Sequence, residues 1–328
     1  MPASQRDVAS GAEDGRARRD HRWLPSVSVI VPMLDAERVV ESCLEAVLSQ
    51  TFPEERTEVI FVDNGSRDGT CEIIQRSPVI FVEEHGNKSP YAARNAGIAV
   101  ARGDVVALTD VSCAPARDWL ERGVAALEER RADLVGGRIE FVLPPNPTVG
   151  ELVDALLNVD VEESITNHRA CMTGNLFVRR ELFDRLGLFE ADLRSGGDIR
   201  WTRRATDAGF RLVYSADAVV AYPARPLGPL LRKLFRVGRG VPRVWSGFGM
   251  SHRRMWMSAL RGLLPTPPAR LAERIRRRAI PEMHRRTPQI WMALWLCKAV
   301  RAGGCVRGLL DRGSEPGLQP RPGSRPDR

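Results

Sequence analysis

Residues 108–113 read LTDVSC: an apolar run ends in one carboxylate, Asp110, and two residues later comes Ser112. A site for a metal and a diphosphate would want a second carboxylate at that position. Mg2+ can nevertheless be held by one carboxylate together with substrate phosphates and water, so Asp110 alone stays a candidate ligand. Asp110 has company. Asp35 follows the apolar run Val27–Val31, and Asp63 ends the run in VIFVDNGSRDGT, residues 59–70. Three acids placed just after buried runs are poor core material. They suit a sugar, a ribose or a metal ion. In VIFVDNGSRDGT the residues Asn64, Gly65 and Ser66 make a turn, and Asp68 can cap the element after it. A plain strand–turn–helix link would use the same residues.

The elements that must carry these acids are legible as alternating runs. Val27–Val31, Val59–Val62, Val79–Val82 and Val105–Leu108 are short and apolar without clean alternation, which predicts strands buried on both faces of a mainly parallel sheet. Val39, Val40, Cys43, Leu44, Val47 and Leu48 recur at helical spacing, with Asp35 as a plausible N-cap. Helices are also expected over Pro90–Ala101 and Trp119–Arg130. Strand–helix alternation with short links means an α/β core, and in such sheets ligands bind at the carboxyl ends of the strands. Pro32, rather than a GxGxxG loop, follows the first strand, so a dinucleotide-binding reading loses its main support. Beyond Gly136 the pattern loosens. Residues 150–163 read as helical, Cys171–Arg179 as a strand-like segment followed by a helix from Glu181, Asp198–Ala208 as a helix ended by Gly209, and Phe210–Tyr214 as a strand.

Charge divides the chain. Residues 225–328 carry 23 Lys and Arg against 5 Asp and Glu, whereas the preceding 224 residues carry 26 against 36. A basic third fused to an acidic part points to an anionic partner such as a membrane surface, nucleic acid or a phosphorylated acceptor. No nucleic-acid-binding motif accompanies it, so nucleic acid is not expected. Trp245, Trp256, Trp291 and Trp295 interleave with arginines in SHRRMWMSALRGLL and IWMALWLCKAVRAG. Such faces fit interfacial helices on an anionic membrane, and equally helices packed on the core with arginines outward. The six cysteines form no CxxC pair and lie mostly in apolar runs, which fits reduced, buried thiols at a cytosolic face. No signal-peptide core and no transmembrane run is expected. The five histidines lack metal-ligand spacing and receive no role.

In their order and spacing these stretches resemble the family 2 glycosyltransferases of GT-A fold, over about residues 26–240. VSVIVPMLDAERVVESCLEAVLSQT resembles the family's opening strand and helix, and VIFVDNGSRDGT its second strand and nucleotide-binding turn. KSPYAARNAGIAVARGDVVALTD resembles the approach to its metal-binding motif, MTGNLFVRRELFDRLGLFE its acceptor region, and SGGDIRWTRRATDAGFRLVY its catalytic-base helix. The resemblance implies a donor site of Pro32, Asp35, Glu37, Asp63, Lys88, Arg94, Asn95 and Asp110, with Asp110 the metal ligand. Cations beside a diphosphate are chemically sensible, although Arg94 would also suit a solvated helix face. It implies Asp198 as the general base that takes the acceptor proton; Asp is equally favoured as the N-cap of a helix beginning at Ile199. Gly174, Asn175, Gly197, Arg236 and Arg239 fall in the implied acceptor and product loops, with Lys233, Gly238 and Gly240 in the same basic stretch, RKLFRVGRG. Two positions depart from the family: Ser112 stands for a second acid, and Tyr222, in VVAYPARP, for a histidine. Both belong to the metal–diphosphate neighbourhood.

The expectation is therefore an α/β protein with a GT-A-type, mainly parallel sheet covered by helices on both faces, plus a basic helical C-terminal extension. Residues 1–24 are expected to lack structure, 25–224 to form the glycosyltransferase domain, 225–310 the basic extension and 311–328 a structureless tail. The implied activity is inverting transfer from a nucleotide-diphosphate sugar to a hydroxyl of an acceptor glycan or lipid-linked saccharide. A divalent cation, Mg2+ or Mn2+, would be weakly held or dispensable. The protein would be cytoplasmic, or peripheral on the inner face of the plasma membrane. The missing acid at Ser112 keeps a non-catalytic nucleotide-sugar-binding protein as the alternative. A nucleotidyltransferase would need two metal-binding carboxylates.

Overall fold

The computed structural model describes residues 24–157, 160–278 and 280–312. Of the terminal segments expected to lack structure, 1–23 and 313–328 lie outside the described residues. Among the described residues eight strands form one sheet: β1 (Val27–Met33), β2 (Thr57–Asp63), β3 (Ile80–Glu83), β4 (Val105–Thr109), β5 (Ala114–Pro115), β6 (Leu134–Val142), β7 (Asn175–Arg179) and β8 (Leu212–Pro223). Their order is β3-β2-β1-β4-β7-β6-β8-β5. The four apolar runs of the sequence are β1 to β4, paired in parallel, but β3 is not buried on both faces as expected, because it is the edge strand and leaves Ile80 and Glu83 exposed. The sheet is more mixed than expected beyond them, because β7 runs antiparallel to both β4 and β6, and β5 antiparallel to β8. β6 and β8 are parallel.

Thirteen α-helices accompany the strands: α1 (Val40–Leu48), α2 (Thr70–Gln75), α3 (Pro90–Val100), α4 (Trp119–Glu129), α5 (Val149–Leu156), α6 (Val161–His168), α7 (Glu181–Leu186), α8 (Gly197–Asp207), α9 (Leu227–Gly247), α10 (His252–Gly262), α11 (Pro268–Arg278), α12 (Pro281–Arg285) and α13 (Thr287–Arg312), counted among the described residues. Side chains alternate across a strand, and β1 divides accordingly. Val29 and Val31 pack with Val40 and Val47 of α1 and Trp119 and Leu127 of α4. Ile30 packs on the other face with Tyr91 and Ala93 of α3 and Phe183 and Trp201 of α7 and α8. Both faces are covered, which is why the strand is apolar throughout.

The basic segment folds as α9–α13. α13 lies along α9, and glycines permit the approach: a Cβ on Gly238 would stand 2.1 Å from the Arg301 carbonyl oxygen. α5 joins this layer, its Leu152 and Val153 packing with Leu230, Leu271, Ile275 and Leu294. The single helix expected over 150–163 is two, since the Asp160 carboxylate caps a second one by accepting the Glu163 N–H at 2.9 Å. α13 runs past the expected boundary at 310, because Asp311 pairs with Arg239 and Arg307. No helix among the described residues is long and apolar enough to cross a membrane.

Candidate active site

The parallel register Met33↔Asp63 sets the loops after β1 and β2 side by side, and their polar residues lace them together. Asp35 is not the N-cap expected for α1. It takes φ 46°, and its Oδ1 accepts the Arg67 N–H at 2.9 Å while its own N–H donates to Ser66 Oγ at 2.9 Å. The N-cap position of α1 is Val39, which has no capping side chain. Asp68 is not the N-cap of α2, which is Gly69; from the preceding position it accepts the Thr70 N–H at 3.2 Å and also takes the Glu37 N–H at 3.1 Å. Asp63 is 2% exposed and closes its own turn by accepting the Gly65 N–H at 2.9 Å and the Ser66 N–H at 3.1 Å. Pro32 lies inside β1 rather than after it. The pairing of β1 with β4 ends at Ile30, so the missing N–H of Pro32 falls where that ladder has stopped. The side chains of Asp35 and Glu37 are exposed along this edge. Lys88, also exposed, reaches over the turn, with Cε 3.9 Å from where a Cβ on Gly65 would stand.

The centre of the site lies where β4, α3 and α8 meet. Arg94 is no solvated helix residue. It is 4% exposed, and its Nη2 donates to Asp110 Oδ1 at 2.5 Å while Nη1 donates to the Pro90 carbonyl at 3.1 Å. The Arg94 guanidinium stands 5.6 Å from the ring centroid of Tyr91. The Tyr91 hydroxyl donates in turn to Asp198 Oδ1 at 2.9 Å. Burial, and then the charge of Asp198, push the Tyr91 phenol far up, so it remains a proton donor. Asp198 Oδ1 also accepts the Ile199 N–H at 2.9 Å, and Oδ2 accepts the Thr173 N–H at 3.3 Å. α8 begins at Gly197 with Gly196 as N-cap. Asp198 is thus one residue inside the helix, and the N-cap alternative for it does not hold.

Asp110, Arg94, Tyr91 and Asp198 therefore form one connected row. Sequence reasoning does not single out Tyr91; its place three residues before Arg94 on a helix is the signal that could have found it. Gly174 adjoins the row, since a Cβ there would stand 3.6 Å from Asp110 Oδ2. Gly197 gives room to Tyr91, because a Cβ there would stand 2.9 Å from the ring. A cavity of about 250 Å3 opens behind Gly196, with Ile199, Val241, Trp245 and Phe248 in its lining.

Three implied residues are occupied elsewhere. Asn95 uses both ends of its amide on the Phe189 backbone, donating at 2.8 Å and accepting at 3.1 Å. Asn175 is fully buried. It donates to the Arg138 and Ala218 carbonyls, both at 2.9 Å, and accepts the Trp119 indole N–H at 2.8 Å. Arg239 pairs with Asp311 at 2.8 Å, tying α9 to α13. Arg236 is exposed on α9, near enough to Arg225 and Lys233 for its charge to act on both.

The family described as Glycosyl transferase family 2 matches residues 28–186. Glycosyltransferase AglE of Haloferax volcanii is 40% identical over 295 residues, covering 88% of this chain and 97% of the relative. This chain belongs to glycosyl transferase family 2. Two solved structures are similar in fold. The mannosyltransferase PcManGT from Pyrobaculum calidifontis, in complex with GDP-Man and Mn2+, matches with TM-score 0.54 and 21% identity over 90% of this chain and 77% of its own. S. aureus TarS 1-349 in complex with UDP-GlcNAc matches with TM-score 0.52 and 18% identity over 88% and 92%. This family 2 glycosyltransferase has the GT-A fold, and the carboxyl ends of β1, β2 and β4 carry its polar residues. All six of its cysteines are free, and burial pushes the Cys43 thiol up to about 12.

Proposed function

We propose that this glycosyltransferase moves a sugar from a nucleotide-diphosphate sugar to an acceptor hydroxyl with inversion, using Asp198 as general base. The observation that carries the reading is the way Asp198 is held. Three donors, Tyr91 OH, Ile199 N–H and Thr173 N–H, fix its carboxylate at the head of α8, within one side chain of the Asp110–Arg94 pair. The acceptor oxygen forms its bond to the anomeric carbon as its proton passes to Asp198. The bond from that carbon to the diphosphate breaks on the opposite face, and its electron pair leaves with the nucleoside diphosphate. A single displacement inverts the carbon. Lys88 and Asp63 adjoin one turn at the nucleotide end, and Arg94 and Asp110 mark the diphosphate end.

For the acceptor we infer a hydroxyl of a cell-envelope glycan or of a lipid-linked saccharide. Its support is the basic C-terminal segment and the exposed apolar side chains that α10, the turn after it and α13 carry there, among them Trp256, Leu260, Leu264 and Trp295. The same features support a place on the inner face of the plasma membrane. The test is donor-dependent release of free nucleoside diphosphate across a panel of nucleotide sugars, with the anomeric configuration of the product read by NMR. A retained configuration would overturn the inverting mechanism, and a panel without release would overturn the donor class.

The divalent ion that the family resemblance implies meets a thin ligand set. Arg94 holds Oδ1 of Asp110, Ser112 replaces the second acid, and Tyr222 stands where the resemblance implies a histidine. Among the described residues no group of three His, Cys, Asp or Glu is placed to hold a metal. These residues do not fit a resident ion.

A further inference from the structure

The space beside Asp110 holds cations instead. Tyr222, at the end of β8, is 7% exposed, and two positive groups share its ring. The Arg225 guanidinium carbon stands 4.4 Å from the ring centroid and the Lys233 ammonium 5.6 Å from it. Asp154 is their counter-ion: its carboxylate lies 3.7 Å from Arg225 Nη1 and accepts the Arg225 backbone N–H at 2.9 Å. That does not satisfy them. Arg225 Nη1 is buried without a hydrogen bond. No described residue accepts a hydrogen bond from Lys233. Burial first, then the neighbouring charge of Arg225, holds the Lys233 ammonium below its ordinary range, and burial likewise lowers Arg225. Asp110 acts on both in the opposite sense, so all three side chains share one electrostatic neighbourhood.

Two adjacent, half-buried cations with one buried carboxylate as counter-ion carry an excess of positive charge. Desolvated charge without a full complement of partners costs stability. An arriving dianion would supply the missing partners, and charge-assisted bonds to phosphate oxygens are among the stronger ones.

We propose that Arg225 and Lys233, backed by the Tyr222 ring, neutralise the diphosphate of the donor in place of a divalent cation. The proposal rests on the glycosyltransferase reading of the site. A guanidinium and an ammonium together match the charge of one divalent ion. They stand beside Tyr222, the position where the resemblance implies a metal ligand. As the bond between the anomeric carbon and the diphosphate oxygen breaks, negative charge gathers on that oxygen. Fixed cations next to it favour departure without rearrangement at that moment.

The test is calorimetric binding of UDP, GDP, CDP and dTDP, each alone, to the full chain in excess chelator and again in Mn2+. At least one nucleoside diphosphate is expected to bind in chelator, with an affinity that Mn2+ changes by less than about threefold. Lys233→Gln and Arg225→Gln should each weaken it by roughly tenfold or more, the scale of a lost bond to a charged group. Lys233→Arg should keep most of it, and the melting temperature of Lys233→Gln should not fall. Adding Ser112→Asp and Tyr222→His to Lys233→Gln should make binding depend on Mn2+. Binding only in Mn2+, or unchanged affinity in both Gln variants, overturns the proposal and leaves the glycosyltransferase reading standing. No binding in either condition overturns the donor-site reading and the proposal with it. If Lys233→Gln weakens a soluble prenyl diphosphate but no nucleotide, the cations serve an acceptor, and the assignment to the donor fails.

Discussion

Asp198 and Tyr91 divide the work at the head of α8, and their variants should fail differently. Asp198→Asn keeps the size of the side chain and an oxygen for Tyr91 and Ile199 to bond. It removes the carboxylate proposed to accept the proton. Turnover should fall by about 10²–10⁴-fold, the usual worth of a general base, with donor affinity intact by calorimetry. Near-normal turnover would take Asp198 out of the mechanism. Tyr91→Phe removes one hydroxyl donor and leaves the other two on the carboxylate. Its stability cost should be about 1 kcal/mol. The rate constant for turnover should drop while the KM for donor stays put, because Tyr91 touches the base and not the nucleotide turn. A raised donor KM with unchanged turnover would contradict that placement. Arg94 illustrates what a sequence leaves open at this scale. Its helix position allowed a solvated face or a ligand site, and the burial of α3 against β1 and β2 removes the solvated face.

At the scale of elements, β7 is the strand that turns the sheet from parallel to mixed, and Asn175 fastens its start. The amide serves β6 through Arg138, β8 through Ala218 and α4 through Trp119. Asn175→Ala would leave an indole N–H and two carbonyls without this partner. A loss of about 3 kcal/mol or more is expected, since each stranded buried group costs about 1–3 kcal/mol, read as a lower urea midpoint. A variant that kept its stability but lost acceptor affinity would restore Asn175 to the acceptor loop that the resemblance implied. Strands β1, β2 and β4 were legible because burial on both faces leaves unbroken apolar runs, whereas β3 shows an apolar run although it is the sheet edge, with Ile80 and Glu83 exposed. β5 was not, being two residues that form only against β8. β8 was seen only in part: its register against β6 shifts between Gly137 and Arg138, from Ser215 to Val219, and the polar residues passing through that bulge interrupt the pattern. The site was legible as a set of acids at strand ends. Its wiring was not, because Tyr91 and Asp198 are 107 residues apart and meet only after α3 and α8 pack on the same face of the sheet. The cations beside Tyr222 were hidden likewise: RKLFRVGRG could be read as basic, but which of its members would face Asp110 depends on how α9 crosses α5.

For the whole molecule the question is what the basic segment rests on. α9 to α13 are not a free-standing arm, since α5 and α9 enclose an apolar layer with α11 and α13. The indoles of Trp291 and Trp295 donate to the Thr266 and Leu263 carbonyls, both at 2.7 Å, which fixes the turn between α10 and α11 onto α13. Packing therefore accounts for one side of these helices. It leaves the other side exposed: Leu264 is 62% accessible, Met292 53%, Leu260 52% and Trp295 38%, with Arg253, Arg254, Arg261 and Arg270 in the same segments. Large apolar side chains beside arginines are the composition of an interfacial surface. The protein should co-sediment with vesicles containing anionic lipid and should not do so with neutral ones. Binding should fall as salt rises from about 0.05 to about 0.5 M, since exposed charges are screened over about 10 Å at 0.1 M. Leu260→Ser with Leu264→Ser should weaken binding at every salt concentration, because burial of apolar area is not screened. Release of nucleoside diphosphate with a soluble acceptor should be unaffected by the pair. Equal binding to neutral and anionic vesicles would remove the arginines from the argument. Full binding by the double variant would return α10 and α13 to a role in packing alone.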